Sequence, residues 1–214
     1  MPRVSMLTKI KRGKALTCRK CQKEIIAGQQ YYRWEFRYGP ACVQHVACGY
    51  PKASQLTQSK MSTAYAAIET AEDVLNGTIE CVEDIAAVLN DCAGEIRSVA
   101  DEYQEGIDNM PEGLQQGAVA QESEEKIEQL NSFADSLEEK AGEIESATND
   151  DFTEEEPEEP DEEETELEIE EFTAACAEWE TKHAEWAALK AEADAEWLSQ
   201  LVSDAQDVLG EHEF

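Results

Sequence analysis

The chain has 214 residues, 17 Lys or Arg against 49 Asp or Glu, a formal net charge of −32, and only 7% aromatic residues. Such a composition excludes a large aromatic-rich core, and no apolar run approaches the roughly 20 residues that span a bilayer. The first residues, MPRVSMLTKIKRGKALT, lack the apolar stretch of a signal peptide, so the expectation is a soluble, intracellular protein. The charge is unevenly placed. Residues 1–60 carry twelve bases and two acids, whereas residues 61–214 carry five bases and 47 acids. Blocks of opposite sign point to separate roles, a basic part that meets a polyanion and an acidic part that keeps the chain soluble or meets a basic partner.

By composition the chain divides into a basic module (1–52), a helical region (53–148), an acidic linker (149–166) and a final helix with its tail (167–214). In the basic module Cys18 and Cys21 form a CxxC, and Cys42, His45 and Cys48 follow at three-residue steps. Two thiolates on a tight turn plus a second pair across a hairpin are the usual way to give zinc its four N or S ligands. Cys18, Cys21, His45 and Cys48 are the favoured set, with Cys42 as an alternative ligand. A closed set of four, with no Glu or Asp beside the second pair, points to one structural Zn2+ rather than a catalytic one.

Between the two halves runs QQYYRWEFRYGP, in which Tyr32, Trp34, Phe36 and Tyr38 alternate with Arg33, Glu35 and Arg37. Period-two alternation predicts a strand with one aromatic and one charged face, ended by the Gly39-Pro40 turn. The aromatics either cover the metal-centred core or stack on bases. Lys9, Lys11, Arg12, Lys14, Arg19, Lys20, Arg33 and Arg37 are the candidate phosphate contacts, and Trp34 is a candidate base contact.

The order CxxC, CQKEIIAG, strand, then HxxC resembles the PARP-type zinc finger over about residues 9–60. That resemblance implies ligands Cys18, Cys21, His45 and Cys48 and a domain that reads DNA ends and nicks. This chain has a shorter segment between the pairs and the extra Cys42. Small finger-plus-acidic-helix proteins of this look also occur among bacteriophage products, so the expected compartment is a bacterial host's cytoplasm, or a nucleus if the source is eukaryotic.

The helical region shows a heptad pattern. Met61, Ile68, Leu75, Val82, Leu89, Ile96, Tyr103 and Met110 recur every seventh residue, and so do Tyr65, Ile79, Ala86, Ala93, Ala100 and Ile107, with Glu72 alone out of pattern. Continuous 3–4 spacing predicts one straight helix of about 75–85 Å, ended by Pro111 and Gly113. A second run, Ile127, Ala134, Ala141 with Leu130, Leu137, Ile144, predicts a helix folded back on the first as an antiparallel coiled-coil hairpin. The second helix is shorter, so a homo-oligomer or the last helix is needed to cover the rest of the stripe.

Residues 150–171 hold 15 acids in 22 positions with two prolines, which predicts a disordered linker. Phe172, Trp179, Trp186, Trp197, Leu201, Val208 and Leu209 then mark an amphipathic helix whose aromatic face either packs on the hairpin or docks an unknown protein. The expected fold class is mainly α behind a small zinc-binding β-hairpin module. The favoured function is non-enzymatic DNA binding by the finger, with the acidic coiled coil as an interaction region. The alternative is an interaction scaffold, or an acidic mimic of DNA, in which the zinc is purely structural. An enzyme is the third reading. It lacks support, for no phosphate-binding glycine loop or nucleophile motif is present, and Cys81, Cys92 and Cys176 fall in helical patterns where a buried thiol is the default.

Overall fold

The computed structural model describes residues 2–8, 16–150, 152–160, 169–212 and 214. A small β module comes first. Strands β1 (Ser5–Leu7), β4 (Tyr31–Trp34) and β5 (Cys42–His45) form an antiparallel sheet with β4 in the middle, and β2 (Leu16–Thr17) pairs with β3 (Glu24–Ile25) in a separate hairpin. Tyr31 pairs with His45 and Arg33 with Val43 on one face, while Tyr32 pairs with Gln44 and Trp34 with Cys42 on the other. Both faces are covered. Tyr31 and Val43 join Cys18 and Ile25 in a core around the cysteines, and Trp34 and Gln44 are buried on the opposite side.

The double covering corrects the expectation for Trp34, which is 1% exposed and offers no ring face to a base. Alternation predicts a solvent-facing side only where one face of a sheet is wholly wet, and here each face carries buried residues. The indole Nε1 of Trp34 and Oε1 of Gln44 have no hydrogen-bond partner among the described residues.

Helices α1 (Met61–Leu75), α2 (Val82–Asp108), the single turn α3 (Glu112–Gln115), α4 (Ala118–Glu145) and α5 (Ile169–Gly210) follow. The single helix expected over 61–110 is therefore two. Asn76 caps α1 and Gly77 closes its last turn, its N–H donating to the Val74 carbonyl at 2.9 Å. A Cβ on Gly77 would sit 3.0 Å from that carbonyl oxygen. Cys81 then stands at the N-cap of α2, with Glu83 and Asp84 in the first turn where the helix dipole favours acids. Ile79, in the connection, still packs on the core, so the apolar column runs through a turn.

α1 folds back on α2: Lys60, just before α1, ion-pairs with Glu102 near the far end of α2. α4 lies antiparallel to α2, joined by Arg97 to Asp135 and Glu138. The predicted hairpin is present, with Leu89, Ile96, Leu130, Leu137 and Ile144 buried between its arms. Leu201, Ala205 and Leu209 of α5 enter the same core, so α1 and α5 cover what the α2–α4 pair leaves open.

The first half of α5 runs past that core and meets the acidic segment. The described residues 152–160 lie along α5, where Trp179 Nε1 donates to the Pro157 carbonyl at 3.0 Å and Trp186 Nε1 to the Glu154 carbonyl at 3.1 Å. Charge repulsion alone predicts disorder here, but two indole donors and the Phe152–Trp186 ring contact give the backbone something to bind. Phe214 packs between Tyr65 and Phe133, and Tyr65 donates a hydrogen bond to its carbonyl oxygen. Among the described residues no helix is long and apolar enough to cross a membrane.

Candidate metal centre

The β2–β3 hairpin builds the first half of the centre. Cys18 N–H donates to the Lys23 carbonyl and Gln22 N–H to the Cys18 carbonyl, both at 2.9 Å, which curls CRKCQ around a point beside both sulfurs. Closing so short a loop puts Gln22 at φ 57, the left-handed region that side chains other than Gly and Asn seldom adopt. Arg19 N–H donates to the Val43 carbonyl at 2.9 Å, which fixes the knuckle against β5.

The second half comes from the end of β5 and the 3-10 turn Val46–Cys48. Three residues per turn bring His45 and Cys48 to the same side. Gly49, at φ 88, then ends the turn and lets the chain leave.

The ligand atoms of Cys18, Cys21, His45 and Cys48 all lie within 4.8 Å of one another, an arrangement that could hold a metal ion. Cys18 and Cys48 sulfurs are 3.9 Å apart, and Cys21 Sγ is 3.4 Å from His45 Nδ1. A tetrahedron with Zn–S bonds of about 2.3 Å has S–S edges of about 3.8 Å, so three thiolates and one imidazole at this spacing suit zinc. The group contains no carboxylate.

The protonation of the cluster is uneven. Burial works to raise the Cys18 thiol, but backbone N–H groups of Cys21, His45 and Lys20 together outweigh it and bring the thiol down to about 6. Burial pushes Cys48 up to about 11, helped by its two neighbouring cysteines. Cys18 and Cys48 thiolates this close repel each other, which a cation between them would relieve.

Cys42 stands apart. Its sulfur lies 3.1 Å from Arg19 Nη1 and it is not among the four clustered ligands, because the pleat of β5 turns Cys42 and Gln44 away from the face carrying Val43 and His45.

Of the expected phosphate contacts, Lys9, Lys11, Arg12 and Lys14 lie outside the described residues. Arg19 and Lys20 sit exposed on the knuckle, Lys20 Nζ donating to the Cys48 carbonyl at 3.0 Å. Lys23, on the same hairpin, is also exposed. Arg33 ion-pairs with Glu35, and Arg37 lies over the exposed Tyr38 ring. Lys52 and Lys60 are engaged with the helices, through Asp73 and Glu102. The sequence reading did not point to Lys126, a lysine of α4 that lines one cleft together with Arg37. Its position in an acidic helical stretch gave no signal of this. No family model matches the chain, and no curated protein or solved structure matches it either.

Proposed function

We propose that this chain is a non-enzymatic, zinc-organised nucleic-acid-binding protein, with DNA as its target and with the helical body as support and interaction region. Cys18, Cys21, His45 and Cys48 hold one structural Zn2+, and Arg19, Lys20, Lys23 and Arg37 contact phosphates. One observation carries the reading. Arg19, Lys20 and Lys23 project from the metal knuckle itself and form no ion pair among the described residues, in a chain with 49 acids. A folded module gains no stability from such a cluster, whereas a polyanion gains counterion release at each contact. The motif order of the module, which resembles that of PARP-type fingers, is in keeping with this reading.

The test combines native mass spectrometry for zinc with anisotropy titrations of intact, nicked and single-stranded DNA at several salt concentrations. One zinc per chain and salt-steep binding, lost on Cys21→Ala and on joint replacement of Arg19, Lys20, Lys23 and Arg37 by Ala, is the expected result. Zinc without binding to any nucleic acid would sink the proposal. A second reading, an interaction scaffold, draws on the aromatic face of α5, which already holds an extended acidic segment against Trp179 and Trp186.

A further inference from the structure

Residues 61–214 contain five cations among 47 acids: Arg97, Lys126, Lys140, Lys182 and Lys190. Arg97, Lys140 and Lys182 are ion-paired with Asp135 and Glu138, with Glu143 and with Glu178, and Lys190 lies over the Trp186 ring. Lys126, like Lys190, lies over a ring, and it shares that ring with a second cation. Glu122 precedes it by one helical turn, the spacing at which opposite charges pair on a helix. Yet Lys126 forms no ion pair among the described residues, and its ammonium lies 5.8 Å from the centre of the Tyr103 ring. Lys60 lies over the same ring at 5.5 Å, so two cations gather at one aromatic.

Lys126 also lines an open cleft of about 510 Å³ between the metal module and the helical body, together with Phe36 and Arg37 of the module and Met61 and Tyr65 of α1. Glu35 is on the rim, but Arg33 pairs with it. The cleft thus offers Arg37 of the module and Lys126 of α4 as cations in a lining of mixed polar and apolar character. Its volume falls in the range of small-ligand sites and is far too small for a duplex.

We propose that this cleft is a second contact point for a single nucleic-acid strand, with a phosphate between Arg37 and Lys126 and its nucleoside against Phe36. The inference rests on the nucleic-acid reading above and extends it into the acidic body. A strand leaving the knuckle would otherwise meet a surface of carboxylates; Lys126 gives it one point of attachment there. Stacking is tolerant of base identity, so the site would hold a strand without reading its sequence.

The experiment is an anisotropy titration of the zinc-loaded full chain with labelled oligo-dT, oligo-rU and duplex DNA across a salt series. For Lys126→Ala, the slope of log affinity against log salt for single strands should fall in magnitude by about 0.7, the value of one lost phosphate contact, with affinity weakened several-fold at low salt. Lys126→Arg should keep the slope, and Lys140→Ala, which removes a paired lysine from the same helix, should leave it unchanged. Helical circular dichroism and melting of each variant show whether the body is intact. Single-strand binding that responds to Arg19→Ala and Lys20→Ala but not to Lys126→Ala overturns this inference alone. A wild-type chain that binds none of the probes overturns it together with the proposed function.

Discussion

Arg97 of α2 grips Glu138 of α4 with two parallel hydrogen bonds, Nε to Oε1 at 3.0 Å and Nη2 to Oε2 at 2.8 Å, while Nη2 also reaches Asp135 at 2.7 Å. Two acids one turn apart hold one guanidinium, and the hydrogen bonds to Glu138 and Asp135 push its pKa up. The fork is partly exposed, so Arg97→Ala should cost about 1 kcal/mol in chemical unfolding, and Arg97→Lys should recover only part of it.

Leu137 makes a larger demand. It is fully buried where α4 faces α2, in a core rich in alanine that has little freedom to close around a void. Leu137→Ala should lower stability by about 2–5 kcal/mol, read from denaturant midpoints at unchanged slope.

Burial raises Tyr65 above its ordinary pKa of 10.0. Its neutral hydroxyl donates to the Phe214 carbonyl, so the folded form favours the protonated phenol. The resulting stabilisation is whole below pH 10 and fades as pH rises through the higher folded value. A phenolate absorbance titration should show one late-titrating tyrosine that is missing in Tyr65→Phe, and alkaline destabilisation should be weaker in that variant.

The thiols should separate by reactivity. Burial, with Glu72 and Glu95 adding to it, pushes Cys92 up to about 12. At Cys81 a backbone hydrogen bond from Asp84 lowers the thiol, but Glu83, burial and the Asp84 carboxylate together leave it raised, so its advantage is its exposure at the start of α2. Alkylation at mildly alkaline pH followed by mass mapping should mark Cys81 before Cys92, which should stay untouched until the helices melt.

Trp186 binds the acidic segment through its N–H and through Phe152. Trp186→Ala removes contacts worth about 1–2 kcal/mol, which should raise the detached population of residues 152–160 roughly tenfold. A Glu-specific protease should then cut within 152–160 correspondingly faster, with no change in the rate of cutting within α2 or α4.

Much of the body was legible because heptad columns report burial directly: Leu89, Ile96, Leu130 and Leu137 are all in the core. The break at Asn76-Gly77 was masked by Ile79, an apolar residue that happens to continue the column from a loop. Asn-Gly is a turn signal in its own right, and it outranked periodicity here. In the metal module the CxxC was plain, but spacing could not choose among Cys42, His45 and Cys48. The strand chooses, since Cys42 and His45 are three apart on a pleat of period two and so point to opposite faces. Trp34 was misplaced for the related reason that both faces of its sheet are covered. Lys126 was illegible, since its place in one cleft with Arg37 arises only because α2 runs back along α1 to the module, where α4 begins.

The core of Cys18, Ile25, Tyr31 and Val43 shares no residue with the core of the helices. Construction of the helical body therefore does not wait for a metal ion. If the cluster takes up its ion as proposed, a newly made chain in a metal-starved cell would carry a finished body and an unfinished head, and scarcity would reach one end of the molecule without touching the other.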